Sequence, residues 1–322
     1  TDLFKRYQRS EQALVLALME MVINGVSTRK VAAITEELCG TSFSASTVSA
    51  LCKRLDPIVN GWNERPLSGS VFPFIIVDAI VIKVRENHRI CPHSALIAIG
   101  VNQDGYREIL GMKIGNSETE DSWYEFFTWL KNRGLRGVDF VVSDNHGGLV
   151  NAVARCFQGA TWQRCQTHFT RNILDNCPKR LKNELHGHLR SIFEAHNLES
   201  ARSLLHTTID SFAVQAPKAV DILEQGFDDA TAVLILPERY RKRLRTTNSI
   251  ERLNEEIRRR ERVIRIFPNH ASAERLIGAL LMEQDEIWST GRKYFDMNEY
   301  WQRKSQQKHV NKVTHLNTAR QF

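Results

Sequence analysis

The succession of apolar segments between residues 72 and 165 constrains the fold of this chain more than any other feature of its sequence. Three segments rich in Ile, Val and Phe come first, and Asp104-Gly105 between the second and the third is typical of a tight hairpin turn. An amphipathic segment follows, with Trp123 and Leu130 on one helical face. Two shorter apolar segments then flank a second predicted helix. The predicted strands cover 72–84, 94–102, 107–115, 138–143 and 161–165, and the predicted helices cover 118–133 and 147–157.

This order of elements predicts an α/β fold with a ribonuclease H-like mixed sheet, in which three antiparallel strands precede a helix and two further strands. From about 166 to 245 the pattern is helical and no strand is evident. We therefore expect the first part of a ribonuclease H-like core at 70–165 and an all-helical insertion at 166–245. The final helices of the core are expected at 246–302, followed by a polar, basic tail at 303–322.

The first 69 residues are expected to form a small helical domain. Leu14, Leu18 and Met21 recur at helical spacing. The stretch 57–70, which contains Pro, Gly and Ser, is interpreted as a linker to the sheet.

Within this domain, a short helix after Ser27 and another at about 46–55 fit a helix-turn-helix, in which the second helix would present Lys53 and Arg54 to DNA. A helical hairpin used for packing or dimerisation fits the same pattern, because the exposed face is polar but only weakly basic. Both interpretations stay open at this point.

Composition limits the partners and the compartment. The 44 Lys and Arg against 37 Asp and Glu give a net charge of +7, which favours a polyanionic partner. No apolar stretch reaches the ~18 residues of a membrane span, and no signal peptide is evident. The six cysteines form no C-x-x-C pair, which indicates reduced thiols and a cytoplasmic location. Because the first residue is Thr1 rather than Met, we expect that an N-terminal segment is missing.

Three acidic residues are candidate catalytic metal ligands. Asp78 lies inside the first apolar strand, where an unpaired charge is costly. Asp144 directly follows the fourth strand, a place where an Asp also commonly caps a helix. Glu251 lies at the start of a predicted helix. Carboxylates on two strands and a helix suit two Mg²⁺ ions held ~3.5–4 Å apart, with Mn²⁺ as a substitute, for cleavage and transfer of a phosphodiester.

The sequence around Glu251 is rich in arginine, which favours contacts with a phosphate backbone over a merely solvated helix. His146, two residues after Asp144, is placed to approach a scissile phosphate or simply to pack. Cys165-x-x-His168 resembles half of a zinc site, but the second pair of ligands that such sites need is missing. The candidate DNA-binding residues are His146, Cys165, His168, Arg171, Arg245, Asn248, Arg252, Arg258 and Arg259, together with Lys53 and Arg54.

Taken in order, several motifs resemble transposases of bacterial insertion sequences of the Mutator-like type. No single motif is decisive, but their order and spacing run through nearly the whole chain. They are Gly25-Val26-Ser27-Thr28-Arg29-Lys30-Val31, Val77-Asp78-Ala79, Val142-Ser143-Asp144 with His146, Gln163-Arg164-Cys165 with His168 and Arg171-Asn172, Thr246-Thr247-Asn248-Ser249-Ile250-Glu251-Arg252-Leu253-Asn254, Phe267-Pro268 and Trp288-Ser289-Thr290-Gly291-Arg292-Lys293-Tyr294-Phe295.

The resemblance implies an Asp-Asp-Glu transposase in which Asp78, Asp144 and Glu251 are catalytic and Mg²⁺ is required. It further implies binding of double-stranded DNA at terminal inverted repeats and at a target, and a nucleoid-associated location in a bacterium. Cys165 and His168 match the Cys-x-x-His signature of the family. A homodimer on DNA is expected because two element ends must be held together, with Leu14, Leu18 and Met21 as candidate contacts.

Two other functions use the same features. A ribonuclease H-like nuclease or junction resolvase would need the same acids but would not join strands. A helix-turn-helix regulator with a catalytically inactive larger domain would not need them at all.

Overall fold

The computed structural model describes residues 14–39 and 43–306. At its centre is a five-stranded mixed sheet with the strand order β3-β2-β1-β4-β5. The strands β1, β2 and β3 are antiparallel, whereas β4 and β5 run parallel to β1. Their bounds are β1 Phe74–Glu86, β2 Arg89–Val101, β3 Arg107–Gly115, β4 Phe140–Ser143 and β5 Thr161–Arg164.

The five predicted strands are confirmed, with one difference at the first hairpin. The strands β1 and β2 extend towards each other until only Asn87 and His88 separate them, and both residues have positive φ angles of 46° and 64°. Two consecutive left-handed residues form the type I′ turn that matches the twist of a hairpin. The predicted turn at Asp104-Gly105 is confirmed between β2 and β3, with Gly105 at a φ of 91°.

Each face of the sheet has its own apolar core. Ile75 and Val77 of β1 face two helices, α5 (Glu120–Asn132) and α6 (Gly147–Cys156). The neighbouring Phe74 and Ile76 face the opposite side, where α12 (Asn248–Ile264) and α13 (His270–Thr290) pack. This alternation follows from the period-two geometry of a strand, and it places Asp78 on the α12 face.

Helices fill the segment 166–245. They are α7 Gln166–Asp175, α8 Lys182–Phe193, α9 Leu198–Phe212, α10 Pro217–Thr231 and α11 Glu238–Leu244. They enclose an apolar core of their own around Phe169, Leu189 and Leu223. The helical content expected for this segment is therefore confirmed.

The N-terminal helices are α1 (residues 14–23), α2 (Thr28–Cys39) and α3 (Ala45–Cys52). They pack around a small core that contains Leu18, which is fully buried. Leu14 and Met21 pack against the same core and stay partly exposed, so the expected dimer contact there stays a prediction. Residues 1–13 lie outside the described residues.

The expected linker at 57–70 is wrong in its first half, because α4 (Asp56–Asn63) occupies it. Asp56 accepts two hydrogen bonds from Arg275 of α13, at 2.6 and 2.9 Å, and Val59 is buried against the same helix. A final helix, α14, spans residues 298–306 and enters the expected basic tail. Residues 307–322 of that tail lie outside the described residues.

Across the described ranges, none of the helices combines the length and the apolar character that crossing a membrane requires.

Candidate active site

Asp78 and Asp144 lie side by side where the strand β4 ends next to the central strand β1. The parallel pairing of β1 with β4 runs from Phe74 opposite Phe140 to Ile76 opposite Val142. Continuing this register by two residues places Asp78 opposite Asp144, at about the ~4.8 Å spacing of neighbouring strands. The two predicted strand acids are therefore brought together by the topology of the sheet.

The Asp78 carboxylate is held in a fixed orientation. Its Oδ1 accepts a hydrogen bond from the Ala79 amide at 2.9 Å, and its Oδ2 accepts one from Asn254 Nδ2 of α12 at 2.9 Å. Burial raises the pKa of Asp78 to about 7, and the negative charge of Asp144 adds to this rise. The Ala79 amide and His168 oppose it only in part. The site therefore holds more negative charge than its protein surroundings neutralise.

Glu251 lies in the first turn of α12, three residues before Asn254. Because residues three apart share a helix face, the contact of Asn254 with Asp78 brings Glu251 to the same side of the sheet. Glu251 Oε1 accepts a hydrogen bond from the Thr247 hydroxyl at 3.4 Å and lies 3.8 Å from His168 Nε2. His168 in turn is close enough to Asp78 and Asp144 for both charges to raise its pKa. Of the three acids predicted from the sequence, Glu251 thus contacts His168, and Asp78 and Asp144 lie near enough to influence its pKa.

Cys165 and His168 form an interacting pair beside these acids. The Cys165 sulfur is fully buried and accepts hydrogen bonds from the Thr247 amide at 3.4 Å and the Thr247 hydroxyl at 3.3 Å. Burial acts to raise the pKa of the Cys165 thiol, but His168 and Thr247 outweigh it and lower the pKa below 9.0. The interaction with Cys165 raises the pKa of His168 to about 9 against the opposing effect of burial. At neutral pH His168 is therefore positively charged.

Sequence reasoning missed a fourth carboxylate near the site. Glu118 Oε1 lies 3.8 Å from His146 Nδ1. Burial raises the pKa of Glu118, His146 lowers it, and the charge of Asp144 raises it further. No local signal distinguished Glu118, because it lies in a polar run directly before α5, and acids are common near a helix N-terminus. His146 itself immediately precedes α6 and is half-exposed.

A basic groove of about 730 Å³ runs beside the first turns of α12. Asn248 and Arg252, both predicted to bind DNA, line it. Arg107 of β3, which sequence reasoning missed, stacks over the rings of Trp288 at 4.1 Å and Tyr294 at 4.3 Å. The basic side chains of the groove are Arg107, Lys242, Arg243, Arg252, Arg292 and Lys293, and its acid is Glu256.

The remaining predicted DNA-binding residues lie around this region or in the N-terminal helices. Arg258 and Arg259 are exposed on α12, where they lie 4.0 Å from Glu261 and 2.8 Å from Glu256 respectively. Arg245, which follows α11, lies 3.9 Å from Glu194. The others are Arg171, exposed on α7, and Lys53 and Arg54, exposed in the short 3₁₀ turn after α3.

Comparison with known proteins points to a single family. The model of the family described as "Transposase, Mutator family" matches residues 1–291. The transposase for insertion sequence element IS256 in transposon Tn4001 of Staphylococcus aureus is 46% identical over 301 residues, which are 92% of this chain and 76% of that protein. The transposase for ISRM5 of Rhizobium meliloti is 44% identical over 93% of this chain and 75% of its own length. The transposase for IS1081 of Mycobacterium tuberculosis is 38% identical over 92% and 71%.

Proposed function

Since the chain belongs to the Mutator family of transposases, we propose that it cleaves DNA at the terminal inverted repeats of an insertion sequence and joins the freed 3′-OH to a second DNA strand. The observation that carries this proposal is the convergence of Asp78, Asp144 and Glu251 at the end of β4, beside β1. The strand order β3-β2-β1-β4-β5, with helices inserted before α12, supports a ribonuclease H-like core for this chemistry.

The donor set fits divalent cations with hard oxygen ligands. Asp144 Oδ1 is buried without a hydrogen-bond partner among the described residues, and the Asp78 carboxyl is poorly compensated. A bound cation would give Asp144 Oδ1 a partner and would offset the negative charge of Asp78. Asp78, Asp144 and Glu251 would therefore hold Mg²⁺, or Mn²⁺ in its place. When bound, two such ions stabilise the attacking and the leaving oxygen of a phosphodiester.

The neighbouring side chains position these ligands. Asn254 fixes Asp78 through its hydrogen bond to Oδ2, and Thr247 fixes Glu251 through its hydroxyl. Thr247 also binds the Cys165 sulfur through its amide, and its single hydroxyl proton is shared between Cys165 and Glu251, which ties the start of α12 to the start of α7. Cys165 thus contributes to the site indirectly, because it fixes the position of Thr247 and favours the charged form of His168. The cationic His168 lies where a phosphate approaching the acids would meet it.

The basic groove supplies a path for DNA next to the acids. Arg252 follows Glu251 directly, so the groove and the site share the first turn of α12. Six cations against a single acid suit a phosphate backbone, and the guanidinium of Arg107 is positioned by its contacts with the rings of Trp288 and Tyr294. We propose that double-stranded DNA follows this groove, with the N-terminal helices as a further DNA-binding unit of the helix-turn-helix kind. We further propose that two copies of the protein form a dimer that holds the two ends of the insertion sequence together.

The test is cleavage and joining of DNA that carries the terminal inverted repeats of the element, with Mg²⁺. Glu251→Gln should lower the rate of cleavage at least about 100-fold, because the loss of several kcal/mol of metal-mediated stabilisation corresponds to two or more factors of ten. Glu255→Gln, exposed on the same helix, is the matched control and should retain activity. Unchanged cleavage by Glu251→Gln would refute the site.

The products separate the other functions. Nicked ends without joined strands would indicate a nuclease or resolvase. Specific binding of the repeats without cleavage, in Mg²⁺ and in Mn²⁺, would indicate an inactive regulator. Light scattering with and without repeat DNA measures the stoichiometry, and a monomer in both conditions would refute the dimer.

A further inference from the structure

A second cluster of metal-binding side chains lies at the far end of the β1–β2 hairpin. It consists of Glu86, the last residue of β1, His93 of β2, and His270, the first residue of α13. One ligand atom from each lies within 4.8 Å of the other two. Eight residues of extended strand separate Glu86 from Asp78, a distance of roughly 26 Å. The cluster is therefore separate from the candidate active site.

His93 is the unusual member of this cluster. It is only 2% exposed, and neither ring nitrogen has a hydrogen-bond partner among the described residues. Burying such a group without a partner is unfavourable, because the water that it loses is not replaced. Its Nε2 lies 3.5 Å from Glu86 Oε2 without forming a hydrogen bond. The ring of His270 meets that of His93 edge to face, with the ring centroids 4.3 Å apart.

The spacing of the donor atoms suits a small tetrahedral ion. Glu86 Oε1 lies 2.5 Å from His270 Nε2, and Oε2 lies 3.5 Å from His93 Nε2. Around a tetrahedral Zn²⁺ with bonds of ~2.0–2.1 Å, neighbouring donor atoms are roughly 3.4 Å apart. The Glu86–His270 pair would have to open by roughly 1 Å to reach this spacing, and His270, which is about one-third exposed, has room to do so.

We propose that Glu86, His93 and His270 bind one Zn²⁺ ion or a similar first-row transition metal, with water as the fourth ligand. Two imidazole nitrogens and one carboxylate favour such ions over Mg²⁺, which prefers oxygen ligands throughout. The exposed edges of Glu86 and His270 give the ion access from solvent. The role of the ion is structural, since its ligands come from the two strands of the hairpin and from the start of a helix.

The connection between α12 and α13 shows what the ion would stabilise. Phe267 in this connection donates its amide to Lys83 O and accepts at its carbonyl from the Arg85 amide, both at 2.8 Å. These two hydrogen bonds hold the connection against the end of β1, next to the cluster. An ion at Glu86, His93 and His270 adds a third attachment at the same place. It thereby anchors the C-terminal end of α12, whose N-terminal end carries Glu251.

The test is the affinity of the full chain for Zn²⁺ after treatment with EDTA, measured with Mg²⁺ in excess. We expect one tightly bound zinc per chain, and a melting temperature that rises with zinc concentration, as for any ligand that binds only the folded state. Glu86→Gln and His270→Asn should each weaken zinc binding more than about 10-fold. Both positions are partly exposed, so these variants should fold. His186→Asn, exposed on α8, is the matched control and should bind zinc normally.

The alternative place for zinc is the group Cys165, His168 and Glu251, whose ligand atoms also lie within 4.8 Å of one another. Co²⁺ in place of Zn²⁺ distinguishes the two, because only a cysteine ligand gives a thiolate-to-cobalt charge-transfer band. We expect no such band, and no loss of affinity in Cys165→Ser. A stoichiometry of zero, unchanged affinity in Glu86→Gln and His270→Asn, or zinc lost only in Cys165→Ser would each overturn the proposal. These measurements do not depend on transposase activity.

Discussion

Replacement of Asp78 by Asn should abolish DNA cleavage and, at the same time, stabilise the metal-free protein at alkaline pH. The pKa of Asp78 is about 7 in the folded protein, against an ordinary value of 3.8. When folding raises the pKa of a carboxyl group, that group stabilises the folded protein fully at pH values below its ordinary pKa. This stabilisation is lost as the pH rises through the pKa of the folded protein. The penalty in the wild type therefore grows between about pH 4 and pH 7, and the variant lacks it.

The magnitude follows from the difference between the pKa of Asp78 in the folded protein, about 7, and its ordinary value of 3.8. At 1.36 kcal/mol per unit, the ceiling of the penalty is about 4 kcal/mol above pH 8. At about pH 5 the part of the penalty that corresponds to roughly one pKa unit is already present. The difference in unfolding free energy between variant and wild type should therefore widen by about 2–3 kcal/mol from pH 5 to pH 8. The amide fits the site, because Asn254 Oδ1 is buried without a hydrogen-bond partner among the described residues and a flipped Asn254 side chain can accept from it.

The assay is urea unfolding in EDTA at both pH values, with Asp221→Asn, exposed on α10, as the control for loss of one negative charge. Adding Mg²⁺ should stabilise the wild type but not the variant at position 78. A gap that does not change with pH, or a variant less stable than the wild type at pH 8, would refute the argument that Asp78 is an uncompensated carboxylate.

Three further perturbations test other parts of the structure. Arg252→Ala should reduce the salt dependence of DNA binding by about one phosphate contact, and a slope unchanged from that of the wild type would remove Arg252 from the DNA path. Gly278→Ala should destabilise the protein by about 1–3 kcal/mol in urea unfolding, because the new Cβ would lie 2.3 Å from Val59 Cγ1 of α4. Asp285→Ala should lower the free energy of unfolding by about 3–5 kcal/mol, since the buried Asp285 accepts hydrogen bonds from the Arg65 guanidinium and the Ile109 amide. A decrease of less than about 1 kcal/mol would contradict the importance of this network.

The sheet and two of its acids could be predicted because their signals are local. Apolar runs of β-branched residues mark the strands, and an Asp inside or directly after such a run stands out against its neighbours. The adjacency of Asp78 and Asp144 then follows from a parallel pairing of β1 with β4. Glu251 carried no comparable local signal. Its assignment depended on the motif around it, and the structure supports it through the contacts of Thr247 and Asn254.

Other features arise only from tertiary packing. The turn at Asn87 and His88 lacks the glycine that marks most type I′ turns, so the hairpin was expected to be several residues shorter at this end. Arg107 and Trp288 are 181 residues apart in the sequence, yet they contact each other and line the same basic groove. The side-chain contact of His93 with Glu86 likewise depends on the hairpin register, which places His93 opposite Ile82 and Glu86 opposite Arg89 and which no periodicity fixes.

The position of α12 links the parts of this molecule. Ile250, Leu253 and Ile257 bury one stripe of the helix against the sheet, which fixes its rotation about its axis. That rotation directs Glu251 towards His168 and Asn254 towards Asp78, and it leaves Arg252 in the groove.

Near the other end of α12, Arg260 donates a hydrogen bond to Asn24, just after α1, at 3.2 Å and lies 3.2 Å from Glu256. A shift of the N-terminal helices would therefore be transmitted to the helix that carries Glu251. Rotating α12 by one residue, about 100° in an α-helix, would expose its buried apolar stripe and break the contact with Asp78. Only one arrangement of α12 is therefore compatible with the acidic site. DNA bound to the N-terminal helices and DNA in the groove would thus act on the same element.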